Sequence, residues 1–287
     1  MKVLVLGGGG QVARAVAASA PKNHSVIVKT HKDLDIADER AVRSALGGEF
    51  DWIVNGAAYT AVDRAETESG QARKINETAV GILARAAAGA GCRLLHLSTD
   101  FVFDGKSNRA YLPTDSTNPL SSYGATKLGG EHQALNQGGD AIVLRTAWVY
   151  ASTGKNFALT MLRLLRERDE VRVVADQIGT PTWATGIAQA IWGLIDVGAA
   201  GGIYHWTDLG IATWYDFATA IQDEALARGL LVRAVPVIPI ATDEYPTPAQ
   251  RPAFSVLDTQ ATRALVNAPA RHWRHNLRMM LNELRTE

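Results

Sequence analysis

One cysteine, Cys92, occurs in 287 residues. Without a second it excludes an internal disulfide framework, and the chain is expected in a reducing cytoplasm. Cys92 itself is expected to be inert packing rather than a nucleophile. Neither charge sign is in excess, with Lys+Arg and Asp+Glu both 29, so no net field favours nucleic acid or an anionic membrane. No uninterrupted apolar run approaches the roughly 20 residues that span a bilayer. The apolar part of the N-terminus, Val3-Leu4-Val5-Leu6, is too short for a signal peptide and reads as a buried strand. The seven histidines show no His-x-x-x-His spacing, so no metal-site residue is assigned. What remains is a globular chain, 47% hydrophobic, with core enough for one large domain or two coupled ones.

Short β-branched runs at residues 3–6, 25–28, 52–55, 94–98 and 141–145 alternate with Ala-rich helical stretches near 11–19, 39–46, 69–90 and 122–136. The runs are continuous rather than alternating, as in strands of a parallel sheet buried on both faces. Alternation of this kind predicts an α/β fold, a Rossmann-type doubly wound sheet with right-handed crossovers. After Arg145 the pattern predicts a helix over 156–168, a strand over 171–174, a helix over 183–197 and a strand over 203–206. The proline-richer tail (Pro236, Pro239, Pro246, Pro248, Pro252) is expected to end in a helix over 272–284. Residues 1–150, with 183–206 returning to them, form the expected nucleotide-binding unit. Residues 151–182 and 207–287 form a smaller C-terminal substrate-binding lobe.

Gly7-Gly8-Gly9-Gly10-Gln11-Val12-Ala13 follows the first strand at once and opens a helix. Glycines let the backbone turn tightly against a pyrophosphate, and the helix N-terminus supplies amides and partial positive charge. Gly7, Gly10, Gln11 and Val12 are therefore expected at the cofactor. An acid at the end of the second strand would take a ribose 2′-hydroxyl and repel a 2′-phosphate. Val28-Lys29-Thr30-His31-Lys32 has no acid and two lysines, which favours NADPH at Thr30 and leaves NADH as the alternative. Asp35 and Ile36 suit the adenine. The small residues of Asn55-Gly56-Ala57-Ala58-Tyr59-Thr60 leave room for a dinucleotide beyond the third strand, with Ala57, Ala58 and Tyr59 against it.

Tyr123 and Lys127 stand four apart, on one face of a helix. A lysine ammonium beside a phenol favours the phenolate, so the pair is equipped to trade a proton with a carbinol oxygen. Thr99, at the end of the fourth strand, can hydrogen-bond the same oxygen; Tyr123 and Lys127 are also expected against the cofactor, with Lys127 holding its ribose.

With these motifs the chain resembles the extended short-chain dehydrogenase/reductases and, within them, the dTDP-4-dehydrorhamnose reductase family. The narrower resemblance rests on Ala61-Val62-Asp63-Arg64-Ala65-Glu66, Thr99-Asp100-Phe101-Val102-Phe103-Asp104-Gly105, Arg145-Thr146-Ala147-Trp148-Val149-Tyr150 and Arg251-Pro252-Ala253. It implies NADPH-dependent reduction of the 4-keto group of a dTDP-6-deoxy-hexulose, giving dTDP-L-rhamnose. Tyr123 is then the proton donor, and Lys127 lowers its pKa. Thr99 and Asp100 contact the sugar near C4, Trp148 is a flat wall, and Val62, Asn156 and residues 177–182 complete the pocket.

Three positions depart from the family pattern. Phe101 replaces a common Tyr, Phe254 replaces a usual Asn, and Ala15 stands where some members carry a Glu linked to a magnesium-dependent dimer. No metal site is carried over, and Mg2+, like the choice between monomer and homodimer, stays open. Phe101 also removes the second carboxylate a 4,6-dehydratase needs. The alternatives are a 4-ketoreductase of another dTDP-deoxysugar, an epimerase or dehydratase, and a non-catalytic nucleotide-binding regulatory subunit.

Overall fold

The computed structural model describes residues 1–47, 50–137, 139–269 and 271–284; residues 285–287 of the expected lobe lie outside them. The five apolar runs become β1 (Lys2–Leu6), β2 (Ser25–Lys29), β3 (Trp52–Asn55), β4 (Arg93–Thr99) and β5 (Ile142–Thr146). With Gly202–His205 they make one six-stranded parallel sheet, ordered β2-β1-β3-β4-β5 and then Gly202–His205. The order reverses between β1 and β3, so a crevice opens beyond their carboxyl ends.

The helices are α1 (Gln11–Ala18), α2 (Glu39–Ala45), α3 (Ser69–Arg73), α4 (Ala79–Ala90), α5 (Ser122–Asn136), α6 (Phe157–Glu167), α7 (Ala184–Asp196), α8 (Trp214–Leu226), α9 (Gln260–Val266) and α10 (Trp273–Glu283). Alternate residues of one strand feed opposite faces of the sheet. Val3 and Val5 join Val16 of α1 and Ile187 and Ile191 of α7. Leu4 and Leu6 join Val42 of α2, Leu83 of α4 and Ala134 of α5. Each of these side chains is nearly or fully buried, which stabilises the layer by roughly 1.5–3 kcal/mol for every Val, Leu or Ile.

A further cluster gathers Tyr150, Leu162 and Leu165 with Phe217 and Ile221 of α8 and Leu277 and Leu281 of α10. The sequence reading has no helix over α8 or α9. For α8 the signal was present: Thr213 accepts from Asp216 N while Asp216 accepts from Thr213 N, a reciprocal cap. The helix expected over 69–90 is interrupted by a π-helical turn at Lys74–Thr78. There the Asn76 carbonyl meets α5 at Gly130, where a Cβ would collide with it. Gly124 likewise sits against the Phe101 carbonyl. Glycine costs a helix interior about 1 kcal/mol, and here close approach of α5 to its neighbours is the return.

Two strands of contact tie the tail to the front of the chain. Arg251 donates to Asp63 at 3.0 Å across 188 residues, and Tyr111 bridges to Leu257. Cys92 is buried, and burial pushes its thiol pKa up. Among the described residues no helix is long and apolar enough to cross a membrane.

Candidate active site

Gly7 leaves β1 with φ +79° and lies so close to Gly56 and Ala57 that a Cβ would sit 2.6 Å from the Ala57 nitrogen. Beside this contact is a cleft of about 670 Å³, within the range of small-molecule sites. Seven of the expected cofactor residues line it: Gly7, Gly10, Thr30, Asp35, Ile36, Ala57 and Ala58. Gly10 precedes α1 without a side-chain cap, leaving the first amides to the cleft. The residues present fit a dinucleotide.

Five expected cofactor residues, Gln11, Val12, Tyr59, Tyr123 and Lys127, do not line the cleft. Val12 packs against the core under α1. Gln11 accepts from Asn156 Nδ2 at 2.8 Å, and the Tyr59 hydroxyl donates to Glu68 at 2.5 Å. The basic turn after β2 also differs from its sequence reading. Asp33 folds back to accept from Thr30 N and Oγ1 at 2.8 and 2.7 Å, and those bonds hold its carboxyl below the usual range. Asp33 is engaged by Thr30 and does not line the cleft, whereas His31 and Lys32 do.

β4 and α5 bring Thr99, Asp100, Tyr123 and Lys127 together. Ser121 caps α5 by accepting from Gly124 N, and Glu66 takes Ser122 N and Oγ at 2.8 and 2.9 Å. Tyr123 is thereby fixed in the first turn, facing Thr99, whose side chain opposes the rise of the phenol pKa. Thr99 Oγ1 also donates to Asp100 Oδ1 at 3.1 Å. Asp100 is 2% exposed and keeps Oδ2 without a partner. Burial pushes its carboxyl up to about 6, with Ser255 and Thr99 opposing.

In this structure Lys127 is not among the groups that shift the Tyr123 phenol. Burial pushes the phenol up to about 12, and Asp100 adds to the rise. Lys127 is 2% exposed; it donates from Nζ to the Leu97 carbonyl at 2.6 Å and meets His96 Nε2 at 3.3 Å. Burial pulls its own pKa down to about 8, with Glu131 opposing.

The expected substrate residues fare unevenly. Trp148 has φ 47° and lies flat on Trp214, centroids 3.5 Å apart. Val62 is half-buried. Asn156 caps α6 through Leu159 N and gives Nδ2 to Gln11 and to the Ala151 carbonyl, so its polar atoms are engaged in tying α6 to α1.

A family model described as the RmlD substrate binding domain matches residues 1–286. The chain belongs to that family. It is 40% identical to the dTDP-4-dehydrorhamnose reductase of Burkholderia thailandensis, with 99% of each chain covered. It is 38% identical to the enzyme of that name from Escherichia coli K12, covering 100% of this chain and 99% of the other. Among solved structures, the Clostridium acetobutylicum dTDP-4-dehydrorhamnose reductase superposes with a TM-score of 0.92 at 37% identity, covering 99% of this chain and all of that one. The Bacillus anthracis reductase, in complex with NADP, gives 0.91 at 31% identity and covers 98% and 99%.

The RmlD-family motifs now have physical roles. Asp63 of the Val-Asp-Arg-Ala-Glu run pairs with Arg251 of Arg-Pro-Ala, and that bond holds the Asp63 carboxyl below its usual range. Glu66 of the same run steadies the Tyr123 turn. Ser255, Glu66, Trp214 and His96 were missed as site residues. Glu66 closes the Ala61–Glu66 run and Ser255 stands two residues past Arg251-Pro252-Ala253; nothing in the sequence around Trp214 or His96 marks them. Phe101 meets Tyr123 edge-on at 5.6 Å. Phe254 packs beside Tyr111, Val102 and Leu257, and Ala15 packs against the core below α1. Among the described residues no three His, Cys, Asp or Glu side chains converge as a metal site would require.

Proposed function

We propose that the chain is an NADPH-dependent oxidoreductase that reduces the 4-keto group of dTDP-4-dehydro-β-L-rhamnose to give dTDP-L-rhamnose. The carrying observation is that β4 and α5 set Thr99, Asp100 and Tyr123 together at the carboxyl end of a parallel sheet whose reversal point holds the glycine cleft. Full-length identity near 40% to reductases of that name supports the substrate, and the NADP complex of a relative supports the cofactor. In this reading residues 1–150 with 183–206 bind the dinucleotide, 151–182 and 207–287 bind the sugar, and the enzyme works in the cytoplasm.

NADPH, when bound in the cleft, supplies the hydride. This chain's residues handle the oxygen. The Tyr123 phenol keeps its proton at neutral pH, and an alkoxide forming at C4 is a far stronger base than phenolate, so the proton passes from Tyr123 to O4. The Thr99 hydroxyl orients that oxygen and shares the developing charge. Asp100, with one oxygen free and its carboxyl pushed up to about 6, faces the sugar hydroxyls beside C4. Phe101 supplies no carboxylate, so the site has no second acid for expelling a 6-hydroxyl.

The test is to offer dTDP-4-dehydro-β-L-rhamnose with NADPH and follow loss of the reduced-nicotinamide absorbance. Stoichiometric oxidation with appearance of dTDP-L-rhamnose is expected. Turnover of a different dTDP-4-keto sugar alone would reassign the substrate, and turnover of none would end the reductase reading.

A further inference from the structure

The end of β2 lies against the glycine loop. Gly8 N donates to the Lys29 carbonyl at 3.0 Å, and a Cβ on Gly8 would come within 2.5 Å of Val28 Cγ1. A dinucleotide with its pyrophosphate on that loop and its adenine beside Asp35 and Ile36 must carry its adenosine ribose past residues 30–32, which line the cleft between them. Thr30 has no donor to spare there. Its N–H and its hydroxyl both end on Asp33 Oδ2, at 2.8 and 2.7 Å. Its carbonyl takes Asp33 N and Leu34 N, each at 3.0 Å. Asp33 is exposed. The bonds from Thr30, with Lys29 adding to them, hold its carboxyl below the usual range, so it is ionised at neutral pH.

An N–H and a hydroxyl converging on one anionic oxygen are the donors a phosphate would use. Around them the cleft is lined by the basic side chains of His31, Lys32 and Lys74 and by one acid, Asp35, whose Oδ1 is taken by Ala37 N at 3.0 Å. We propose that Asp33 is a specificity-determining residue: it occupies, as an internal anion, the seat that a cofactor's 2′-phosphate would take at Thr30. NADPH binds by displacing the Asp33 carboxylate from Thr30 N and Oγ1. NADH brings a neutral 2′-hydroxyl and leaves the carboxylate in place. The lysines of the turn favour the phosphate dianion, whereas Asp33 opposes it twice, by repulsion and by possession of the donors. Discrimination between the two cofactors is therefore narrower than the basic turn alone implies. The proposal rests on the dinucleotide reading of the cleft, and it needs nothing from the sugar chemistry.

Calorimetric titration of the full chain with 2′,5′-ADP and with 5′-ADP, which differ only in the 2′-phosphate, tests it at one fixed low ionic strength. Asp33→Ala frees both Thr30 donors and should tighten 2′,5′-ADP about tenfold, with 5′-ADP within about twofold of wild type. Asp33→Asn keeps an acceptor for the turn but no charge, and should move the ratio of the two constants the same way by a smaller factor. Thr30→Val added to Asp33→Ala removes the hydroxyl donor and should take back part of the gain. An unchanged ratio in Asp33→Ala, or a shift toward 5′-ADP in either Asp33 variant, overturns the proposal. So does a gain that Thr30→Val leaves whole, because repulsion alone would then account for it. If the wild type binds neither nucleotide, the dinucleotide reading falls and the proposal with it. If 5′-ADP binds and the ratio stays where it was, the proposal falls alone.

Discussion

Trp148 lies on Trp214 with planes 3° from parallel and centroids 3.5 Å apart. It does so from a left-handed backbone, φ 47°, that costs a non-glycine residue about 1–3 kcal/mol. Gly179 closes in on the same indole, where a Cβ would come within 2.5 Å, and Trp214 Nε1 donates to Gln177 at 3.2 Å. One face of Trp148 is thus spent on Trp214. Trp214→Ala should release Trp148, raise KM for the sugar about tenfold, equivalent to ~1.4 kcal/mol, and leave NADPH binding alone. Steady-state kinetics and the near-UV circular dichroism of the stacked indoles check this; an unchanged KM would make the stack structural only.

Removing the Tyr123 hydroxyl should separate chemistry from binding. Tyr123→Phe is expected to lower kcat by about 10²–10⁴ while NADPH still protects against heat, by about 2.7 kcal/mol at a hundredfold excess over Kd. A rate equal to wild type would remove Tyr123 from the mechanism.

Glu131 and Arg145 form a bidentate pair at 2.6 and 2.8 Å with exposures of 1% and 2%. Arg145→Met leaves a carboxylate stranded in the core and should cost about 3–5 kcal/mol. Glu131→Leu combined with Arg145→Met should recover most of that loss. Urea denaturation of the single and double variants measures it; additive losses would contradict the pairing.

Asp208 is 6% exposed, and burial pushes its carboxyl up to about 7, with Asn276 and Trp183 N opposing. Between the unfolded value near 3.9 and 7 the folded state holds more protons than the unfolded one. Stability from this group is therefore intact at low pH and lost as pH rises through that window. Asp208→Asn should be near neutral at pH 4 and stabilising by roughly 2–4 kcal/mol above pH 7. His205, pulled down to about 3 chiefly by burial, has the opposite slope from about 3 to 6.5. The comparison must accordingly be wild type against variant at each pH, by chemical denaturation. A gap that does not widen with pH would refute the assignment.

Much of this was legible because buried parallel strands read as unbroken apolar runs: β3 is found at its expected limits, and β1, β2, β4 and β5 within a residue at either end. The glycine loop and the Tyr123–Lys127 spacing were legible too, since backbone reach and helical period are local properties. Direction was not. That Lys127 turns to Leu97 and His96, that Tyr59 turns to Glu68, and that Asn156 is consumed by Gln11 depend on which partners the tertiary fold supplies. The α8 helix was lost to a neighbourhood rich in turn residues, although Thr213 and Asp216 announced its start.

The Asp63–Arg251 pair bears on how the protein is made. A ribosome releases Asp63 long before Arg251 exists; at about 5–20 residues per second the 188-residue gap takes roughly 10–40 s. The cleft residues all precede position 76, whereas Trp214 and Ser255 emerge near the end. A nascent chain therefore acquires the cleft residues first and Trp214 and Ser255 much later, and a truncation before residue 251 leaves Asp63 without its Arg251 partner.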